Sequence, residues 1–152
     1  MANEDVTDRL TSLEVIRRFR AHDYTLDDFV ASRRERHPGR EMMVFEGRSW
    51  SWQQVEETVQ RMAFQLRADG VQAGDRIVVM GRNSPWHLLL LLAAARVGSI
   101  FVPINPQFKL EEVAYVVGHC RPAMLLTDVE AMPVAREALS QAGVSAVLHE
   151  MG

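Results

Sequence analysis

Three short loops hold the polar groups best suited to meet a ligand: Gly81-Arg82-Asn83, Pro103-Ile104-Asn105-Pro106 and Thr127-Asp128. Asn83 and Asn105 carry amides that both donate and accept hydrogen bonds, and Asp128 carries a carboxylate acceptor. An asparagine beside Ser84-Pro85, or set between Pro103 and Pro106, also stabilises a loop by bonding its own backbone. Both roles are open to them.

Other reactive side chains are sparse. His22, His37, His87, His119 and His149 are scattered, and no pair has the i, i+4 or near-cysteine spacing of a zinc site. His119-Cys120 sets a base beside a thiol, but successive side chains diverge and no third group orients them. A packed cysteine is the simpler reading. Glu56-Glu57 and Glu111-Glu112 read as solvated helix faces or as acidic partners of helix starts. Of the 17 basic residues 16 are arginine, so chemistry that needs a lysine must use Lys109. Gly70-Val71-Gln72-Ala73-Gly74-Asp75 is glycine-rich, yet it precedes a strand and lacks the Lys-Ser/Thr pair of a phosphate loop. Its glycines read as a helix stop and a turn. No G-x-G-x-x-G follows a strand, so the usual dinucleotide site has no support. The residues themselves nominate no catalytic, cofactor-binding or metal-binding position.

The elements that would position these loops follow from periodicity. Leu10, Leu13, Ile16 and Phe19 recur at helical spacing, which makes residues 1–24 an extension with an amphipathic helix. Thr25 caps a second helix that ends before Pro38. Met42–Phe45 and Arg48–Trp52 are β-prone runs joined by Glu46-Gly47, a hairpin signal. Ser51 and Gln54 form a capping box for a helix from about Trp52 to Asp69, with Gly70 as its stop. Ile77–Met80 is apolar on both faces, as a central parallel strand requires. Ser84 as cap and Pro85 at the first helical position open a helix that stops at Gly98, and Ile100–Val102 is the next strand. The alternation continues with a helix over about Leu110–Gly118, a strand at Ala123–Leu126, a helix opened by Thr127 with Glu130 in capping-box position, and a strand at Ser145–Leu148. Such alternation predicts an α/β fold: a parallel sheet with flanking helices plus an N-terminal β-hairpin. Residues 25–152 read as one unit. Its last strand has no covering helix after it, so the sheet reads as an incomplete part of a larger domain, truncated or completed by another polypeptide.

Composition bounds the partners. The chain has 152 residues, 47% of them hydrophobic, a formal charge of -3 and a pI near 5.9. That balance offers no basic field for nucleic acid, which is excluded as a partner. One cysteine allows no internal disulfide and suits a reducing compartment, so a cytoplasmic location is expected. The apolar run Leu88–Ala95 is far short of the roughly 20 residues of a transmembrane segment. Glu4, Asp5, Asp8 and Glu14 fit neither a signal nor a transit peptide.

An ordered set of landmarks adds a family resemblance. The hairpin with Trp50-Ser51-Trp52-Gln53-Gln54-Val55 leads to Ala63-x-x-Leu66, Gly70-x-x-x-Gly74-Asp75-Arg76-Ile77 and Asn83-Ser84-Pro85. Ala93-Ala94-Ala95-Arg96-Val97-Gly98-Ser99-Ile100-Phe101-Val102-Pro103-Ile104-Asn105-Pro106 and Leu125-Leu126-Thr127-Asp128 complete it. Over roughly residues 25–150 this resembles the start of the large domain of the adenylate-forming (AMP-dependent synthetase/ligase) superfamily. The Asn-Pro ending resembles acyl-CoA synthetases more than peptide-synthetase domains. The resemblance implies ATP, Mg2+ and CoA as cofactors of the complete enzyme and a carboxylic acid as substrate: adenylation of the acid, then thioester formation. It also implies that the phosphate loop and the family's catalytic lysine are missing from this chain, since Lys109 matches a variable helix-entry position. No catalytic residue carries over, and the segment alone is expected to bind none of these cofactors. The expected partners are the remainder of the ligase or a second copy in a homo-oligomer. A non-catalytic α/β partner-binding module derived from the same scaffold is the alternative.

Overall fold

The computed structural model describes residues 25–151. The amphipathic helix expected within residues 9–20 lies outside the described residues. Thr25 caps α1 (Leu26–Arg36) through a complete capping box with Asp28. A two-stranded antiparallel hairpin follows, β1 (Glu41–Phe45) and β2 (Arg48–Ser51). Its turn puts Glu46 at φ 49° and Gly47 at φ 77°. Positive φ at both central residues matches the right-handed twist of the strands. Gly47 adopts it without strain; Glu46 does so against its Cβ.

Ser51 then caps α2 (Trp52–Ala68): its hydroxyl accepts from Gln54 N at 3.2 Å, and Gln54 Oε1 accepts from Ser51 N at 2.9 Å. The strand therefore ends at Ser51, one residue short of the expected Trp52, and the helix starts at Trp52 as expected. Next come β3 (Arg76–Met80), α3 (Pro85–Val97), β4 (Ile100–Ile104), α4 (Leu110–Cys120), β5 (Met124–Thr127), α5 (Met132–Gln141) and β6 (Val147–Glu150). The four later strands form one sheet in the order β4-β3-β5-β6, and every pair in it is parallel.

Strand β3 has neighbours on both sides, and Ile77, Val78 and Val79 are fully buried. Alternation splits them between two cores. Ile77, Val79 and Met124 pack with Val55, Val59, Leu66, Leu89 and Ala93 under α2 and α3. Val78, Met80 and Leu125 pack with Val113, Val117, Ala135 and Ala138 under α4 and α5. Each buried Val, Leu, Ile or Met side chain contributes about 1.5–3 kcal/mol, so a run apolar on both faces makes sense only between two helical layers.

Arg96 ties the first layer together. From α3 it bonds Asp27 of α1 and Glu56 of α2, the latter at 2.8 Å. Burial opposes its charge, but the hydrogen bonds and charges of Glu56 and Asp27 outweigh that cost and raise the guanidinium above its ordinary value. In the second layer Arg76 of β3 donates to the carbonyls of Cys120 and Arg121 at 2.7 Å each, pinning the end of α4 to the sheet.

Two expected helix starts differ from the structure. Ser84 occupies the N-cap of α3, but its hydroxyl makes no capping bond and lies 3.4 Å from His87 Nδ1. Pro85 and the left-handed Gly98 (φ 82°) carry the boundaries there instead. Thr127 does not open a helix. It is the last residue of β5, paired with Met80 and Glu150, and a 3-10 turn (Val129–Ala131) intervenes before α5. The last strand runs over Val147–Glu150, two residues later than its apolar pattern suggested. Leu148 packs on the α5 side, whereas Val147 is 41% exposed.

Candidate functional site

The carboxyl ends of β3, β4 and β5 lie side by side, so the topology brings residues 81–83, 105–106 and 128 to one edge of the sheet. Crevices at this edge are where open parallel sheets bind ligands. Asp128 organises it. Its Oδ2 accepts from Arg82 N at 2.7 Å, joining the loop after β3 to the loop after β5. Asp128 N in turn donates to Met80 O at 3.3 Å, and Met151 N to Thr127 O at 2.8 Å.

Gly81 is enclosed by these contacts. A Cβ there would stand 2.7 Å from Asp128 Oδ1 and 2.6 Å from Met151 Cε. The need here is space, since only glycine lets the two loops approach so closely. Beside them lies a cleft of 200 Å³ lined by Met80, Arg82, Phe108, Asp128 and Glu130. Thr127 Oγ1 is buried without a hydrogen-bond partner among the described residues.

The two asparagines divide. Asn105 Oδ1 accepts from Gln107 N at 2.9 Å, so its amide supports its own turn. Asn83 is exposed. His87 is half-buried; burial lowers its pKa, and the Asp128 carboxylate partly opposes the shift. Sequence reasoning treated His87 only as one of five scattered histidines. The signal that would have found it is its position three residues beyond Ser84, one turn into α3.

The remaining candidates stay apart. Burial raises the Cys120 thiol, with a smaller lowering from Arg76, so the thiolate is disfavoured. Its neighbour His119 stacks on Tyr115 at 6.3 Å instead of turning toward it. Lys109 is the N-cap residue of α4, where its backbone N donates to Glu112 Oε2 at 2.9 Å. Gly70 and Gly74 take φ of 89° and 86° before β3, and Asp75 Oδ2 accepts from Gln72 N at 2.8 Å, a helix stop followed by a turn. Among the described residues no group of three His, Cys, Asp or Glu side chains is placed to hold a metal ion. No helix among them is long and apolar enough to cross a membrane.

This edge can position backbone and orient a ligand; its hydroxyl–imidazole contact, Ser84 Oγ to His87 Nδ1, is long at 3.4 Å, and among the described residues no carboxylate is hydrogen-bonded to the ring to orient it. Asp128 is occupied in joining two loops, and His87 has Ser84 as its nearest partner.

Comparison with known proteins follows the same fold. The chain is 34% identical over 103 residues to the acyl-CoA ligase sidI of Aspergillus fumigatus, covering 65% of this chain and 18% of that one. A solved structure from Rhodopseudomonas palustris, assigned as a long-chain-fatty-acid CoA ligase, superposes with a TM-score of 0.80 at 25% identity. The match covers 87% of this chain and 34% of that one. ATP-bound MatB, also from Rhodopseudomonas palustris, superposes at 0.64 and 26% identity, over 70% of this chain and 21% of its own. The chain thus spans less than a fifth of the curated ligase it matches and about a third of the first solved structure. The model of the AMP-binding enzyme family matches residues 30–151, from α1 to the strand end beside Gly81, and by that match the chain belongs to this family.

Proposed function

We propose that residues 25–152 form the N-terminal subdomain of the large domain of an ATP-dependent acyl-CoA synthetase, with residues 1–24 an extension ahead of it. The observation that carries this reading is the family match over residues 30–151. In the complete enzyme a carboxylic acid attacks ATP, with Mg2+ on its phosphates, to give an acyl-adenylate and pyrophosphate. The thiol of CoA then takes the acyl group and AMP leaves.

The role of this segment in that sequence is scaffolding. Nucleotidyl transfer gains most of its rate from positioning and charge neutralisation of phosphates, and the 152 residues hold no phosphate loop to supply either. The strand-end loops instead cross-link to one another through Asp128 and Arg82. A cytoplasmic location and fatty or other carboxylic acid metabolism belong to the same proposal.

Carboxylate-dependent ATP–pyrophosphate exchange tests it, with the 152-residue chain and the whole product of its native locus assayed in parallel against a panel of acids. Exchange by the whole product only is the expected result. Exchange by the 152 residues alone would overturn the scaffold role. No exchange from either would favour the second reading, a non-catalytic partner-binding module. That reading draws on Phe64, 75% exposed on α2, and on the 310 Å³ cleft between α2 and β6 lined by Met62, Leu66, Leu126 and His149.

A further inference from the structure

A second depression shares no residue with the cleft around Asp128. It has a volume of 510 Å³ and lies between the hairpin, α2 and the first turn of α3. That size is in the range of small-molecule sites. Arg48 and Trp50 reach it from β2, Thr58 and Arg61 from α2 and Trp86 from α3, with Glu46 also lining it.

Its cationic groups are held in place by neutral partners. Thr58 Oγ1 donates to Gln54 O at 2.8 Å and accepts from Arg61 Nη2 at 3.3 Å. The Arg48 guanidinium carbon lies 4.7 Å from the centre of the Trp50 ring, a cation–π contact that orients the group and leaves its N–H edge for other partners. Among the described residues neither arginine stands within ion-pair distance of a carboxylate. Arg96 differs sharply, with two carboxylates on one guanidinium. Two arginines against the single Glu46 leave the depression net positive. Trp86 adds a flat apolar surface that is 39% exposed.

We infer that this depression binds a small aromatic oxyanion, its carboxylate or phosphate held by Arg48 and Arg61 and its ring laid against Trp86. Guanidinium forks match planar oxyanions, and an indole face suits a flat apolar body. The inference is separable from the ligase reading: the depression takes in Ser84 and Pro85, where the loop after β3 enters α3, but neither Arg82 nor Asp128.

The test uses the 152-residue chain and three probes: 2-naphthoate, 2-naphthyl phosphate and the neutral 2-naphthalenemethanol. Binding is followed by the NMR shifts of the Trp50 and Trp86 indole N–H signals. At least one anion should bind about fivefold or more tightly than the alcohol, and which of the two binds tighter identifies the recognised group. Arg48→Gln and Arg61→Gln should each remove most of that preference while leaving the alcohol unchanged. Both residues are exposed, and circular dichroism checks that the variants keep the fold. Glu46→Asn should strengthen anion binding, since it removes the opposing charge. Equal binding of all three probes, unmoved indole signals, or wild-type preference in folded arginine variants would each overturn the proposal.

Discussion

Gly81 and Asp128 act as a unit, and the energetic weight at the strand-end edge falls on single atoms. The Asp128 carboxylate is fixed by the Arg82 amide, so it cannot swing away from a new methyl group as a solvent-exposed side chain would. Gly81→Ala should lower stability by about 1–3 kcal/mol, the usual cost of overpacking, read as a lower urea midpoint. In an Asp128→Ser background the same change should cost less, and additive losses would show that the two positions do not couple. His87 gives this edge a pH dependence. Its folded pKa lies below the unfolded value because burial disfavours the imidazolium. The unfolded chain therefore binds the proton more readily, and stability is complete above the unfolded pKa and declines as pH falls below about 6.5. Denaturation at pH 7.5 and pH 5.5 checks this: His87→Gln should flatten the difference, and an unchanged slope would assign it to other groups.

Elements differ in how firmly their boundaries are held, and that difference can be measured. Ser51 makes its capping bond, so Ser51→Ala should cost about 1 kcal/mol; Ser84 makes none, so Ser84→Ala should stay within about 0.5 kcal/mol. Equal losses at both sites would contradict the hydroxyl positions. Arg96→Ala removes the tie between α1, α2 and α3 and leaves Glu56 partly buried without its partner. A loss of about 2 kcal/mol is expected, since removing one member of a charged hydrogen bond costs about 1.5–3 kcal/mol. A melt within a degree of wild type would count against the tie. The same boundaries mark what was legible in the sequence. The caps at Thr25 and Ser51, the helix stop at Gly98 and the doubly apolar Ile77–Met80 are local signals, and the structure realises each where the pattern placed it. Thr127 misled because its cap-like neighbours are local, whereas its place in β5 is set by Met80, 47 positions away in the chain. The Asp128–Arg82 bond was equally illegible: nothing in either loop names the other until the parallel sheet brings their ends together.

At the scale of the whole molecule, two packed cores lie on either side of one sheet, and the pairing order fixes how that sheet can be assembled. Because all its strand pairs are parallel, no two strands can zip from a tight turn; a helix must be laid down between each strand and the next. Contacts of this kind fold slowly, since long loops must close before pairing rewards them. Pulse-labelled hydrogen exchange during refolding should show β3 amides protected before those of β6, and early protection of β6 would refute that sequence of events. The order β4-β3-β5-β6 has one more consequence. Strand β4 joins one side of β3, β5 the other, and β6 the outside of β5, so no later strand has to be threaded between two that are already paired. A ribosome delivering this chain from its first residue to its last would add every new strand to an open edge, and no pairing made during synthesis would have to be undone.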